Sequence, residues 1–314
     1  RPGRSAIDVV LQKELTYDLS ARTLYNLGMM ENDATACFDR MIPSMVMISL
    51  RAYGVPEEIV MLMGNTLEKM RYRIKTKIGI SKRYYQHSEE AEVYGTGQGS
   101  TGSPCFWLLI SIILFNIMLM LAHGVFFTDP QRVEELKRTM EAFVDDTDVV
   151  HSARDTAMTG EQVQQEMQPV IDRWEGGLRA TGGALVPTKS FWYLIDFAWS
   201  GTKWKYRTIA TMPGKLTVRD ANGNRGTLKR LEPKVAKETL GVMLAMDGNN
   251  VEECKHLRKK TMEFADNMRT GFLSKNDAWY ALNSTIMKTL EYPMEATTIT
   301  EVEWNKIMAP ILLS

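Results

Sequence analysis

Cysteine and histidine are scarce in this chain of 314 residues, which holds three of the first and four of the second. Cys37, Cys105 and Cys254 form no CxxC pair, and His87, His123, His151 and His256 have no ligand spacing. That pattern excludes a disulfide framework and argues against a zinc site, and it fits a reducing compartment. An excess of one charge is also lacking. Lys plus Arg and Asp plus Glu both number 38, so a nucleic-acid surface, if there is one, must be local. No repeat, low-complexity linker or signal-peptide pattern is found, and a start at Arg1 reads as part of something longer. At 44% hydrophobic and 9% aromatic, the composition is that of a core-forming globular chain.

Charge is missing altogether from Val93 to Thr128. Within that stretch CFWLLISIILFNIMLMLA (105–122) is broken only by Ser111 and Asn116, which suits either a minimal membrane span or a buried core helix. Elsewhere, residues 6–22 repeat apolar positions at helical spacing, and Pro43 and GVPEE (54–58) punctuate helices that run to about Met70. RYRIKTKIGI (71–80) alternates strictly, which predicts a half-buried strand with Arg71, Arg73, Lys75 and Lys77 on its solvent face. Four cations in register suit a phosphate backbone, although a merely solvated face has the same look. KWKYRTI (203–209) and GKLTVRDANGNRGTLKR (214–230), turning at Asn222-Gly223, predict a further basic strand pair, and residues 250–314 read as helical.

Three places carry chemistry. AFVDDTDVV (142–150) sets Asp145 beside Asp146 inside a strand-like run. Neighbouring carboxylates repel, so the pair reads either as an exposed turn or as ligands to a hard divalent cation. Asp33 and Asp39, in DATACFDRM, lie where a strand gives way to a helix. Asp33, Asp145 and Asp146 together could hold two Mg²⁺ ions, the arrangement that serves phosphoryl transfer. GQGSTG (97–102) fits a dinucleotide-binding G-x-G-x-x-G, but no acid follows before Asp129, and the motif requires one about 20 residues on.

DATACFD, QGSTGSP and FVDD, in this order, resemble motifs A, B and C of reverse transcriptases, in the detail of the LINE-like (non-LTR) retrotransposon group. RPGRSAID (1–8) is similar to the fingers segment before motif A. GGALVPTKS (182–190) is similar to motif D, and TLGV (239–242) to motif E, the primer grip. The resemblance implies an α+β, right-hand polymerase fold. Partial fingers would span 1–32, an antiparallel-sheet palm backed by helices 33–245 with fingers-side strands at about 71–93, and a helical thumb 246–314.

The resemblance also implies the activity and its residues. The activity is RNA-directed DNA synthesis with two Mg²⁺ ions, using an RNA template, a DNA primer or target and dNTPs, in the nucleus and without a membrane. Asp33, Asp145 and Asp146 are the implied metal ligands. Ala34, Phe38, Gln98 and Gly99 are implied to meet the nucleotide, with Phe38 as steric gate against a 2′-hydroxyl. Lys189 is the implied proton donor to pyrophosphate, and Leu240, Gly241 and Val242 the primer grip. The apolar helix is then expected as core beneath the palm. The alternatives are a catalytically decayed or domesticated RNA-binding domain and an RNA-dependent RNA polymerase. Glu31-Asn32 departs from the family, which has apolar residues before the motif A aspartate.

Overall fold

The computed structural model describes residues 5–34, 37–88, 95–97, 100–129, 131–143 and 146–312. The fold is α+β. Its central elements, in chain order, are α1 (Ala6–Thr23), β1 (Leu27–Asn32), α2 (Ser103–Leu121), β2 (Met140–Phe143), β3 (Asp146–Ser152), α3 (Gly160–Ala180), β4 (Phe191–Ile195) and β5 (Lys229–Leu231). The five strands form one sheet in the order β5-β4-β1-β3-β2. All neighbours run antiparallel except the edge pair β5 and β4, which is parallel. Residues 27–32, grouped with the fingers from sequence, are therefore the central strand of this sheet.

Alternation along β1 sorts its two faces. Met30 turns to one side, where Val149, Trp192 and Leu194 join Met167, Ile171 and Trp174 of α3 and Phe106, Ile110 and Leu114 of α2 in the main core. A Cβ at Gly28, on the same side, would collide with the Met167 sulfur, so glycine lets α3 lie close. Thr159 starts α3 with a capping box, since Gln162 N–H donates to its hydroxyl at 3.3 Å and Thr159 N–H donates to Gln162 Oε1 at 2.8 Å. Leu27 and Met29 turn to the other side and meet Tyr17 of α1, Val150, Tyr193 and Ile195.

The apolar helix α2 is core on one face only. Phe106, Trp107, Ile110, Leu114 and Met118 are buried, whereas Leu108, Leu119 and Met120 are exposed. By length and composition α2 could cross a membrane, and 33% of its apolar window is buried. Composition cannot tell which face a neighbour covers, and here α3 and the helix Pro43–Ala52 cover one.

The 71–80 segment corrects the sequence expectation. It forms a small ribbon, Lys75–Thr76 against Gly79–Ile80, turning at Lys77-Ile78 rather than one half-buried strand. Ile74, Ile78 and Ile80 are all exposed, Ile78 completely. Alternation predicts faces, but burial needs a partner layer, and the ribbon joins no larger sheet. Its base is closed instead by Tyr72 and Tyr85, which exchange backbone hydrogen bonds of 2.8 and 3.0 Å and stack at 5.1 Å. The predicted strand pair around Asn222-Gly223 is present, as Thr217–Arg219 against Arg225–Thr227. The carboxyl-terminal region is helical, with Val251–Thr270 packed on Glu301–Leu312.

Candidate active site

The face of the sheet that holds Leu27 and Met29 becomes charged toward the end of β1. Register pairs Glu31 with Asp148 and Asn32 with Thr147, and continuing it by one residue sets Asp33 opposite Asp146. Directly opposed residues share a face, so Glu31, Asp148, Asp33 and Asp146 all rise on the same side. Glu141 of β2 pairs with Asp148 and joins them.

Lys13 of α1 lies beneath this group, 1% exposed. Its Nζ is 2.9 Å from Asp148 Oδ2 and 3.2 Å from Glu31 Oε2, and it donates to Thr239 Oγ1 at 3.1 Å. Burial opposes the ammonium, but Asp148 and Glu31 outweigh it and hold the Lys13 pKa above the ordinary lysine value. Burial, with Glu31 next to it, pushes the Asp148 carboxyl up against the pull of Lys13. Arg138 plays a similar part for Glu141, 2.5 Å away, where burial also raises the carboxyl. The unusual Glu31 before Asp33 is thus explained, because it forms one arm of a buried ion triad.

Above the triad a cavity of ≈ 130 Å³ is lined by Asp33, Asp146, Lys189, Phe191, Glu238 and Leu240, among others. Asp33 is held by the motif D loop. Its carbonyl accepts from Val186 N–H at 3.0 Å, and its N–H donates to Ser190 Oγ at 3.3 Å. Ala34 bridges to Leu185, and Lys189 Nζ, on a largely exposed side chain, comes 3.1 Å from Asp33 Oδ2. Gly182 turns this loop at φ 97°, where a Cβ would strike the Arg40 carbonyl. Leu240 tops a hairpin, Lys237–Thr239 against Val242–Leu244, with Leu240 at φ 49° and Gly241 at φ 89°. Tyr292 Oη donates to the Leu240 carbonyl at 2.8 Å, while Lys13 holds Thr239 one residue away.

The motif A, C, D and E residues Asp33, Asp146, Lys189 and Leu240 therefore line one cavity. Ala34 is buried, and Phe38 packs half-buried against the main core, its carbonyl accepting from Thr96 N–H at 2.8 Å; neither lines the cavity. Val242 is buried in a separate cluster with Ile7 and Val10. Arg71, Arg73, Lys75 and Lys77 lie on the exposed ribbon. Asp145, Gln98 and Gly99 lie outside the described residues. Lys13, Ser190 and Thr239 were not singled out from sequence. Their faint signals are a lysine placed between Val10 and Tyr17 on the buried face of α1 and the acid at position 31.

Among the described residues six carboxylates (Glu31, Asp33, Glu141, Asp146, Asp148, Glu238) face three cations (Lys13, Arg138, Lys189) across this site. The residual negative charge favours a cation. Among the described residues no three His, Cys, Asp or Glu side chains form a metal-holding group. Two carboxylates beside an open cavity nevertheless fit Mg²⁺, which commonly takes one or two from the protein and completes its shell with water and substrate phosphates.

No family model and no curated protein matches the chain. Solved structures that it matches include telomerase from Candida albicans in complex with the TWJ fragment of telomeric RNA, at 12% identity and TM-score 0.44, over 98% of this chain and 46% of that one. Apo telomerase from Candida tropicalis, truncated from the C-terminal domain, matches at 17% identity and TM-score 0.41, over 71% and 40%. Telomerase from Candida tropicalis with the TWJ fragment matches at 12% identity and TM-score 0.40, over 97% and 45%. The chain spans less than half the length of each of these structures. Likeness at this level leaves the function to be read from the site.

Proposed function

We propose that the chain is the polymerase part of a reverse transcriptase of the retrotransposon type, joining dNTPs to a primer 3′-hydroxyl on an RNA template. The observation that supports this most is the convergence of Asp33, Asp146, Lys189 and Leu240, from four separate segments, on one cavity. In this reading Asp33 and Asp146, with Asp145 by resemblance, hold two Mg²⁺ ions. When bound, the metal lowers the pKa of the 3′-hydroxyl and neutralises the triphosphate. Lys189, beside Asp33 on an exposed stem, gives a proton to the departing pyrophosphate. The hairpin at Leu240 supports the primer end. Arg71, Arg73, Lys75 and Lys77 meet phosphates without reading sequence, and Gln98 and Gly99 flank the incoming nucleotide and template. The sheet and its helices serve as palm and the carboxyl-terminal helices as thumb, and a nuclear location is proposed by resemblance alone.

Phe38, five residues after Asp33, packs on the main core outside the cavity lining, and it is by the resemblance that it is proposed to bound the sugar. Primer extension on an RNA template, run with dNTPs and with rNTPs, tests this. The parent should use dNTPs, require Mg²⁺ and stop in EDTA. Phe38→Ala should improve ribonucleotide use relative to dNTPs by roughly 10- to 100-fold. Unchanged discrimination removes Phe38 as the gate. Equal use of rNTPs by the parent makes the chain an RNA-directed RNA polymerase, and RNA binding with no extension makes it a binding-only domain.

A further inference from the structure

Beyond the far end of β4 the chain forms a hairpin, Phe197–Trp199 against Trp204–Tyr206. β4 leaves the cavity at Phe191 and reaches Ile195 opposite Leu27, so this hairpin, starting at Phe197, begins roughly 20 Å from Glu31 at strand spacing. Cross-strand pairing puts four aromatic rings on one face. Phe197 and Tyr206, with centroids 5.3 Å apart, pack on the second core cluster. Trp199 and Trp204 meet at 5.4 Å and 68°, outside that core, and remain 57% and 49% exposed. The edge-on pair steadies the hairpin, yet about half of each large apolar side chain still faces water.

Lysines line the outer edge of this hairpin beside Trp204. From Phe197 to Arg219 there is no acid. Lys203 and Lys205 are exposed and form no ion pair among the described residues, and neither does Lys234 across the adjoining cavity of ≈ 400 Å³. That cavity also holds two acids, Glu232 and Asp247. Glu232 accepts from Ile209 N–H at 2.8 Å, and Asp247 accepts from Asn249 N–H at 3.2 Å. Arg207 is spent internally, 3.5 Å from both Glu161 and Asp196.

We infer that the Trp199–Trp204 hairpin is a docking platform for unpaired nucleic acid, separate from the polymerase cavity. Bases stack on the indoles, a surface that paired bases cannot reach, and Lys203, Lys205 and Lys234 meet the phosphates. The cavity volume lies within the range of roughly 300–1,000 Å³ usual for small-ligand sites, so it can admit one splayed nucleotide. The inference does not depend on catalysis, because the platform requires neither metal nor the carboxylates. RNA and DNA single strands share the chemistry that it recognises.

The test is fluorescence anisotropy with labelled U10 and dT10 in EDTA, on the whole chain. Trp199→Ala with Trp204→Ala should weaken binding at least roughly 10-fold. Lys203→Gln with Lys205→Gln, which leaves the indole pair and the hairpin intact, should reduce the slope of log K against log salt by about 1.4. Binding is measured in EDTA, without the metal that the polymerase reading requires, which separates this result from any failure of that reading. The U10 and dT10 arms identify the preferred source of single strand. Parental affinity and slope in both double variants, no binding by the parent, or equal competition by duplex or polyglutamate would each overturn the inference.

Discussion

Lys13 carries more of this site than its residue type suggests. One buried ammonium answers Glu31 and Asp148 and reaches Thr239, 226 positions away in the chain. Replacing it with methionine leaves two carboxylates without their cation, and removing one partner of a buried pair costs about 3–5 kcal/mol. Lys13→Met should therefore lose stability of that order in chemical denaturation, and adding Asp148→Asn should recover part of it. A loss below about 1 kcal/mol would mean that the triad is not the buried unit described. His151 offers a second residue-scale measurement. It is buried in β3, and burial chiefly, aided by His123 and Arg154 against Glu166, brings its pKa down to about 4. Its unfolded value is about 6.5. Between these values the unfolded chain binds the extra proton, so stability is retained above pH ~6.5 and lost as pH falls toward 4, by on the order of 3 kcal/mol. His151→Leu should flatten the stability curve across that window, and an unchanged curve would assign the acid sensitivity elsewhere.

Among the elements, the 71–85 ribbon isolates the electrostatic part of binding. Its cations are exposed, Lys75 in a two-residue strand and Lys77 in the turn, and Arg71 lies over Tyr84 at 4.6 Å. Arg73→Gln, Lys75→Gln and Lys77→Gln together should weaken RNA binding across all sequences alike and reduce the salt slope by roughly 2. They should leave the melting temperature unchanged, since nothing in the core depends on them. A sequence-selective loss would mean base contacts instead. The ribbon also marks where sequence pattern stops being informative. Strict alternation predicts one half-buried strand, but the segment folds back at Lys77-Ile78 and exposes its isoleucines as well as its cations, because burial depends on a partner layer that the segment itself does not encode. α2 repeats the lesson, for an uninterrupted apolar run has no polar stripe to show which face Leu108 and Met120 would leave open. By contrast Asp33, Asp146, Lys189 and Leu240 were singled out from sequence because each sits in a short motif, and all four line the cavity. Lys13 and Thr239 were not, since a lysine on a helix reads as surface until its distant partners are known.

For the whole molecule, the gradient along one face of the sheet connects fold to chemistry. Leu27 and Met29 anchor α1, Glu31 and Asp148 hold Lys13, and Asp33 and Asp146 open to the cavity. Buried charge below thus fixes the strands that present the carboxylates above, and Thr239 ties the Leu240 hairpin to the same point. The most direct measurement is single-turnover primer extension on an RNA template with Mg²⁺, comparing the parent chain with Asp33→Asn. The account predicts extension by the parent and a loss of at least roughly 10³-fold in the variant, with the fold and RNA affinity retained. Extension by Asp33→Asn within a few-fold of the parent would contradict it.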